Sequence, residues 1–528
     1  MKKIYLAMLI MMVVAINAFS QDANFYRRYA EKGDKEAMFN LALCYINGNG
    51  GVTQDYNQAT DWLTKAAKKK YAPAQHRLAL CYLYGVGVLK DYSQAYSLCQ
   101  KAAEQNYAPA FYTISQMYAD GIYVNKSTSS QLSWLQRAAQ MGHDGAQCDL
   151  GRAYLYGNED PKVEQDYARA FDLLTKSSNQ NNAEATFYLG ICYEYGAGVT
   201  IDLQKAIGYY YQAAQGGNAL AQCEVGESYL QGKGVDVNFA EAKKYIEAAA
   251  AQETPRAYYQ MGDLYFSGLG VDKNYETAAE WYKKAVDAGY ADAYSLLAHM
   301  YLYGVGVAEN ESKGYQLFKE AADAGYPKGQ AGVGECYENG YGVYKNLATA
   351  VSYYKQAAEQ NNNYAMYRLY VILKKGGVGV TKDTQQAIQY LRQAADNDYD
   401  DALCALGFEY LTGEILHQEN CKALEYMTKA ADNGYSFACA VLGVCYYEGE
   451  FLVDKDYNKA FQYLLAAVNG DRSINNDGLL ADVYKRIGAC YRFGRGTEVN
   501  HSLASYYTEQ AAKYGDESSL QAVKDLRK

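Results

Sequence analysis

The 528-residue chain is predicted to be all-α, a solenoid of about 13 two-helix repeats of about 36 residues each. Three observations lead there. Tyr45, Tyr82, Tyr118 and Tyr154 stand 37, 36 and 36 residues apart. The series continues through Tyr193, Tyr229, Tyr265, Tyr301, Tyr337, Leu373, Tyr410, Tyr446 and Tyr491. Three residues after each stands a glycine, from Gly48 to Gly494, an unbroken column in a chain with 47 glycines. Only 5 prolines occur, and 49% of residues are hydrophobic, so long helices and a sizeable core are both allowed. A fixed period of 20–50 residues marks a stack of small supersecondary units.

The first element is a targeting segment. Lys2 and Lys3 precede an apolar run from Ile4 to Ile16, and Ala18-Phe19-Ser20 puts small residues at a cleavage site. Residues 1–20 therefore read as a secretory signal peptide cut between Ser20 and Gln21, with an exported, periplasmic or extracellular product. The run is too short to span a bilayer comfortably, and no later stretch is apolar enough, so integral membrane association after cleavage is not expected. The full chain carries a net charge of −10, which disfavours nucleic-acid partners. Residues 21–36 read as a lone amino-terminal capping helix.

The repeats occupy 37–515. Take Ala257 to Gly289. Ala257, Met261, Gly262 and Tyr265 share one face of a 3.6-residue period. Gly268-Leu269-Gly270 breaks that helix, Asn274 caps a second, and Gly289 ends it. Elsewhere Asp55 and Asp91 take the cap, each with Gln three residues on. Pro73, Pro109, Pro255 and Pro327 fall one or two residues before a first helix, where a missing N–H costs nothing. Second helices end in Ala-Ala in most repeats, which lets helix backbones approach closely. A single hairpin buries too little to fold alone, so neighbouring repeats must support one another.

The pattern Ala-x4-Gly-x2-Tyr-x2-Gly-x-Gly-Val, then Ala-x6-Ala-Ala-x2-Gly, resembles the Sel-one-like repeat (SLR) family, a relative of the tetratricopeptide repeat. Gly226-Glu227-Ser228-Tyr229-Leu230-Gln231-Gly232-Lys233-Gly234-Val235 matches it residue by residue. The resemblance implies an α/α right-handed superhelix whose first helices line a concave groove. It also implies a non-enzymatic scaffold or adaptor that binds a protein or peptide. Two departures stand out. Extra residues near 158–161 and 469–477 read as exposed loops, and the second as the place for any subdomain boundary. Residues 516–528 read as a carboxy-terminal capping helix.

Catalytic signals are weak. Six of the 12 cysteines, Cys44, Cys81, Cys192, Cys336, Cys445 and Cys490, precede the repeat Tyr, too far apart for disulfides and suited to a core. Cys99 or Cys421 could still find a partner. The cysteine in the Ala-Ala pair that staples some SLR hairpins is absent here. The 5 histidines lack metal-ligand spacing, so no metal and no cofactor is expected. The Gly-x-Gly turns follow no strand and are not dinucleotide loops. Ser352-Tyr353-Tyr354-Lys355 matches the nucleophile motif of penicillin-interacting enzymes, but its companion motifs are missing.

What remains is the groove. On each first helix the core takes the Ala slot and the slots 4, 5 and 8 residues on; slots 2, 6 and 10 lie opposite. Phe39 and His76 occupy such slots, and the candidate binding residues are Tyr112, Arg152, Tyr156, Phe187, Tyr195, Glu227, Tyr259, Asp263, Tyr303, Glu335 and Tyr367. They vary while the core recurs, and tyrosine gives large contact area at low entropy cost. A protein or peptide partner is the first expectation. A cell-wall glycan stacked on tyrosines is the alternative, and a β-lactam- or peptidoglycan-active enzyme the less favoured one.

Overall fold

The computed structural model describes residues 22–160, 162–450, 453–470 and 476–519. The signal peptide expected at 1–20, Pro161, residues 471–475 of the second insertion and most of the closing helix expected at 516–528 lie outside them. Among the described residues there are 27 α-helices and one two-stranded hairpin. A single helix, Ala23–Glu31, is followed by 13 helical hairpins, numbered here as repeats 1–13. The chain divides into two compact units, one ending at Lys273 and one beginning at Asn274. The division falls in the loop of repeat 7 rather than at the 469–477 insertion.

Local chemistry sets the boundaries. Asp55, Asp91 and Asn274 open second helices as the sequence predicts, accepting from the N–H groups of Gln58, Gln94 and Thr277. Each satisfies an orphan donor of a helix amino terminus. The prolines sit slightly differently from expectation. Pro73 and Pro109 are second, and Pro255 and Pro327 first, in their helices. The helices begin earlier because the proline nitrogen replaces a donor that no intrahelical carbonyl would have served.

Within the first unit Leu41, Leu63, Ile114, Leu174 and Ile246 are fully buried; within the second, Phe318, Tyr354, Leu391 and Leu464 are. Eleven cysteines are buried free thiols, and Cys421 is exposed. The Ala-Ala pairs are buried too, as at Ala102-Ala103 and Ala357-Ala358.

Two recurring contacts tie repeats to the ones before them. The first is the second glycine of the Gly-x-Gly turn. Gly87 lies so close to the preceding repeat that a Cβ there would sit 2.2 Å from the Tyr56 carbonyl oxygen; Gly306 stands identically against Tyr275. The second is a buried glutamine latch, which the sequence reading did not single out. Gln75 Nε2 donates to the Ala67 carbonyl at 3.3 Å, and Gln105 Nε2 donates to Gln75 Oε1 at 2.6 Å. Gln147 with Gln180 and Gln222 with Gln252 repeat the arrangement. In the second unit Gln360 donates to Gln330 at 2.9 Å. A buried amide that lost these partners would be costly, so the reach of Gln75, Gln147 and Gln222 to a carbonyl of the preceding repeat fixes register there, while each Gln–Gln bond braces a single repeat.

The repeat tyrosines stack on rings of the second helix. Tyr193 and Tyr209 lie 5.4 Å apart at 11°, and Tyr410 and Tyr426 5.9 Å apart at 2°. Lys205 and Lys422 cover Tyr193 and Tyr410. The insertion of repeat 4 is not simply an exposed loop. Asn158–Glu159 pairs antiparallel with Lys162–Val163, and Val163 is buried. Its apolar side chain must leave water, and the adjacent first-helix cleft is where it goes.

Candidate functional site

Side chains on successive first helices reach across to one another. In the first unit His76 Nε2 meets Thr113 Oγ1 at 2.9 Å, and Tyr112 OH donates to Asp149 Oδ2 at 2.9 Å. Arg152 continues the ladder, with Nη2 donating to Asp149 Oδ1 at 3.3 Å and Nη1 to Glu184 Oε1 at 3.1 Å. Tyr112 also stacks on His143, centroids 4.5 Å apart. Tyr112, Asp149 and Arg152 border a cleft of about 350 Å³ that brings together three predicted residues, Tyr112, Arg152 and Tyr156, over Leu132, Leu135 and Val163.

Burial dominates the electrostatics of this cleft. It pushes the Tyr112 hydroxyl up, and the Asp149 charge adds to the effect. It raises Glu184 as well, against the lowering pull of Arg152. For Arg152 burial opposes the charge, yet Tyr188, Asp149 and Glu184 outweigh it, and the guanidinium stays charged. A half-exposed cation held by two carboxylates and the Tyr188 phenol is a preorganised polar anchor.

A second cleft, about 310 Å³, lies further along the same unit and joins Tyr195 and Glu227. Arg256 bridges Glu224 and Glu227 at 2.5 Å each. Lys233 pairs with Glu194, which also accepts from Tyr210. Burial alone would raise Glu194, but Lys233 and Tyr210 hold it below the usual carboxylate range. Tyr195 stands at the rim, 72% exposed.

Phe187 corrects the expectation. It is buried, not groove-lining, because its ring packs against Tyr188 and Tyr210 at 5.3 and 5.7 Å. Tyr259 and Asp263 are half-buried on Pro255–Ser267. In the second unit Tyr303 OH donates to Glu335 Oε1 at 3.4 Å. Tyr367 is half-buried, tilted against Tyr370 and Tyr399. Arg368 pairs with Glu338, which also accepts from Tyr354 OH at 2.8 Å.

The carboxylates Asp149, Glu184, Glu194 and Glu224 and the cations Lys233 and Arg256 were not among the predicted residues. Several stand one slot before the Ala position or three after it; only the register between neighbouring repeats reveals that they meet. Ser352 of the penicillin-enzyme motif is exposed on the second helix Leu347–Glu359. Among the described residues no group of three His, Cys, Asp or Glu side chains is placed to hold a metal ion, and no helix is long and apolar enough to cross a membrane.

Thirteen segments, 35–71, 72–107, 112–143, 145–182, 183–218, 219–253, 255–290, 291–326, 327–362, 363–399, 400–435, 436–471 and 481–516, match the Sel1 repeat model. Two Arabidopsis thaliana proteins, the ERAD-associated E3 ubiquitin-protein ligase components HRD3B and HRD3A, are 39% and 36% identical over 74 residues. Those matches cover 14% of this chain and only 12% and 10% of the relatives. A protective antigen of uropathogenic Escherichia coli with an SLR fold aligns over 96% of this chain and 97% of its own, at 27% identity and TM-score 0.46. A Sel1 repeat protein from Oxalobacter formigenes aligns over 47% of this chain and 96% of its own, at 31% identity and TM-score 0.42.

Proposed function

The chain belongs to the Sel1 repeat family, and from that premise we propose that it is a non-enzymatic scaffold whose first-helix face binds an extended segment of a protein or peptide. The observation that carries this reading is the cleft formed by Tyr112, Arg152 and Tyr156. Its rim is aromatic, its floor is apolar, and its one cation is already held by Asp149 and Glu184. Such a surface offers contact area and fixed hydrogen-bonding groups, the ingredients of an interaction hot spot. The Arabidopsis relatives, named as ligase components, agree with an assembly role. We further propose export through residues 1–20, and a groove that takes neither nucleic acid nor a cofactor.

The test compares wild type with the Tyr112→Ala/Tyr156→Ala double variant against a displayed peptide library. Peptides enriched by wild type and lost by the variant support the reading. Equal enrichment by both sinks it. Retention on purified cell-wall glycan, abolished by the same pair of changes, would favour the sugar-binding alternative.

A further inference from the structure

The second unit holds a notch of about 370 Å³ spanning the first helices of repeats 8, 9 and 10. Its floor is Ala331, Gly332 and the ring of Phe318. It exists because repeat 9 carries Gly329, Ala331 and Gly332 at slots where other repeats place larger side chains. Gly332 lets Phe318 lie directly against the backbone; a Cβ there would be 2.0 Å from the ring. His299 and Tyr364 form the walls, and His299 meets Phe318 edge-on at 5.0 Å.

Glu335 lines this notch, its side chain 14% exposed. Elsewhere in the unit Glu338, Glu409 and Glu448 are each matched by a cation, Arg368, Lys374 and Arg486. Among the described residues no Lys or Arg pairs with Glu335. Its partners are His299 Nε2 at 3.3 Å and Tyr303 OH at 3.4 Å, both long for a carboxylate. A carboxylate offers about four acceptor sites, so capacity remains. The one lysine on the rim, Lys328, is engaged by Asp292 at 2.6 Å. Burial and the Glu335 charge together raise the hydroxyls of Tyr303 and Tyr364, at Tyr364 against the lowering pull of Arg368, so the negative charge is felt at both hydroxyls.

Resting on the reading of the first-helix face as a peptide-binding surface, we propose that this notch receives an arginine or lysine side chain of a peptide bound to the second unit, with Glu335 as counter-ion and the aromatic walls flanking the cation. A shielded carboxylate without a Lys or Arg partner, beside π-faces in a side-chain-sized notch, is the chemistry that recognises such a group.

The experiment titrates the full chain with Nα-acetyl-arginine N-methylamide and its neutral citrulline counterpart, observed by ligand NMR. Wild type is expected to prefer the arginine probe by roughly tenfold or more, as a charged hydrogen bond implies. Glu335→Gln should erase that preference. Ser295→Tyr, which places in the notch a residue other repeats carry at the same slot, should abolish binding of the arginine probe while the far-UV CD spectrum stays unchanged. Equal binding of the two probes, or a preference that survives Glu335→Gln, overturns the proposal. Library binding lost with Tyr112→Ala/Tyr156→Ala beside a wild type that shows no arginine preference overturns the notch alone; a library blind to the tyrosine pair beside an arginine preference that Glu335→Gln erases overturns the groove reading alone.

Discussion

Replacing Gly306 by alanine tests how repeats are joined. The residue has φ +68°, and the new Cβ would lie 2.2 Å from the Tyr275 carbonyl oxygen and 2.3 Å from its carbon. Two costs follow. A left-handed backbone at a residue with a Cβ costs roughly 1–2 kcal/mol. The overlap is with backbone, not a flexible side-chain end, so the turn must move away from the preceding second helix, adding about 1–3 kcal/mol. The sum is about 2–5 kcal/mol. Gly325→Ala provides the control. That glycine has φ +85° with nothing within 4 Å of the added Cβ, so only the first cost, roughly 1–2 kcal/mol, applies. Repeat arrays do not always unfold in one step, so amide hydrogen exchange across Tyr275–Asp287 and Ala291–Tyr303 is the proper readout. Protection there should fall clearly further in Gly306→Ala than in Gly325→Ala. Equal losses in the two variants would refute the close-approach reasoning.

Three further outcomes are expected. Lys70, φ +55°, holds at the end of a second helix the left-handed conformation that Gly325 holds elsewhere; Lys70→Gly should stabilise by about 0.5–1 kcal/mol, seen as a raised Tm, because relieved strain exceeds the added unfolded-state freedom. His76 is lowered from 6.5 to about 3, first by burial and then by Arg77 and His143. The unfolded chain therefore takes up that proton more readily, and stability is complete above about pH 6.5 and falls as pH drops toward 3, by up to about 1.4 kcal/mol per unit. Urea midpoints of wild type and His76→Gln should converge in acid if this holds; a constant gap from pH 7.5 to 5 would contradict it. Burial pushes the Cys81 thiol up to about 11 and Cys99 to about 12, so an aromatic disulfide reagent should titrate Cys421 quickly and the eleven buried thiols only on denaturation.

The fold was legible because stacking imposes identical demands at each period. The tyrosine and glycine columns, the Asp and Asn caps and the Ala-Ala pairs all repeat, and each keeps its place in three dimensions. The site was legible only in part. Tyr112, Arg152 and Tyr156 do meet, since slots 2, 6 and 10 face the same way. Phe187 fails the same rule because the neighbouring rings of Tyr188 and Tyr210 enclose it, a matter of neighbouring volumes and not of period. The bridges from Arg152 to Glu184 and from Arg256 to Glu224 join residues 32 apart in sequence. Such pairs depend on how far one hairpin slides along the next, which no single-repeat pattern encodes. The glutamine latch left a trace, Gln at the slot after the Ala or Gly position in repeats 2, 4, 6 and 9, but its meaning needed the carbonyl it reaches.

The glycine turn and the glutamine latch share a directional property. Gly306 leans on Tyr275, and Gln75 reaches the Ala67 carbonyl; each tie spans at most about thirty residues and points toward the amino terminus. During synthesis, then, a newly made hairpin always finds its dock already built, at a separation that does not grow with the number of copies. Loop-closure entropy stays that of a small domain. Lengthening the array by duplication adds no slow, long-range search, so copy number is free to drift while the assembly route stays the same.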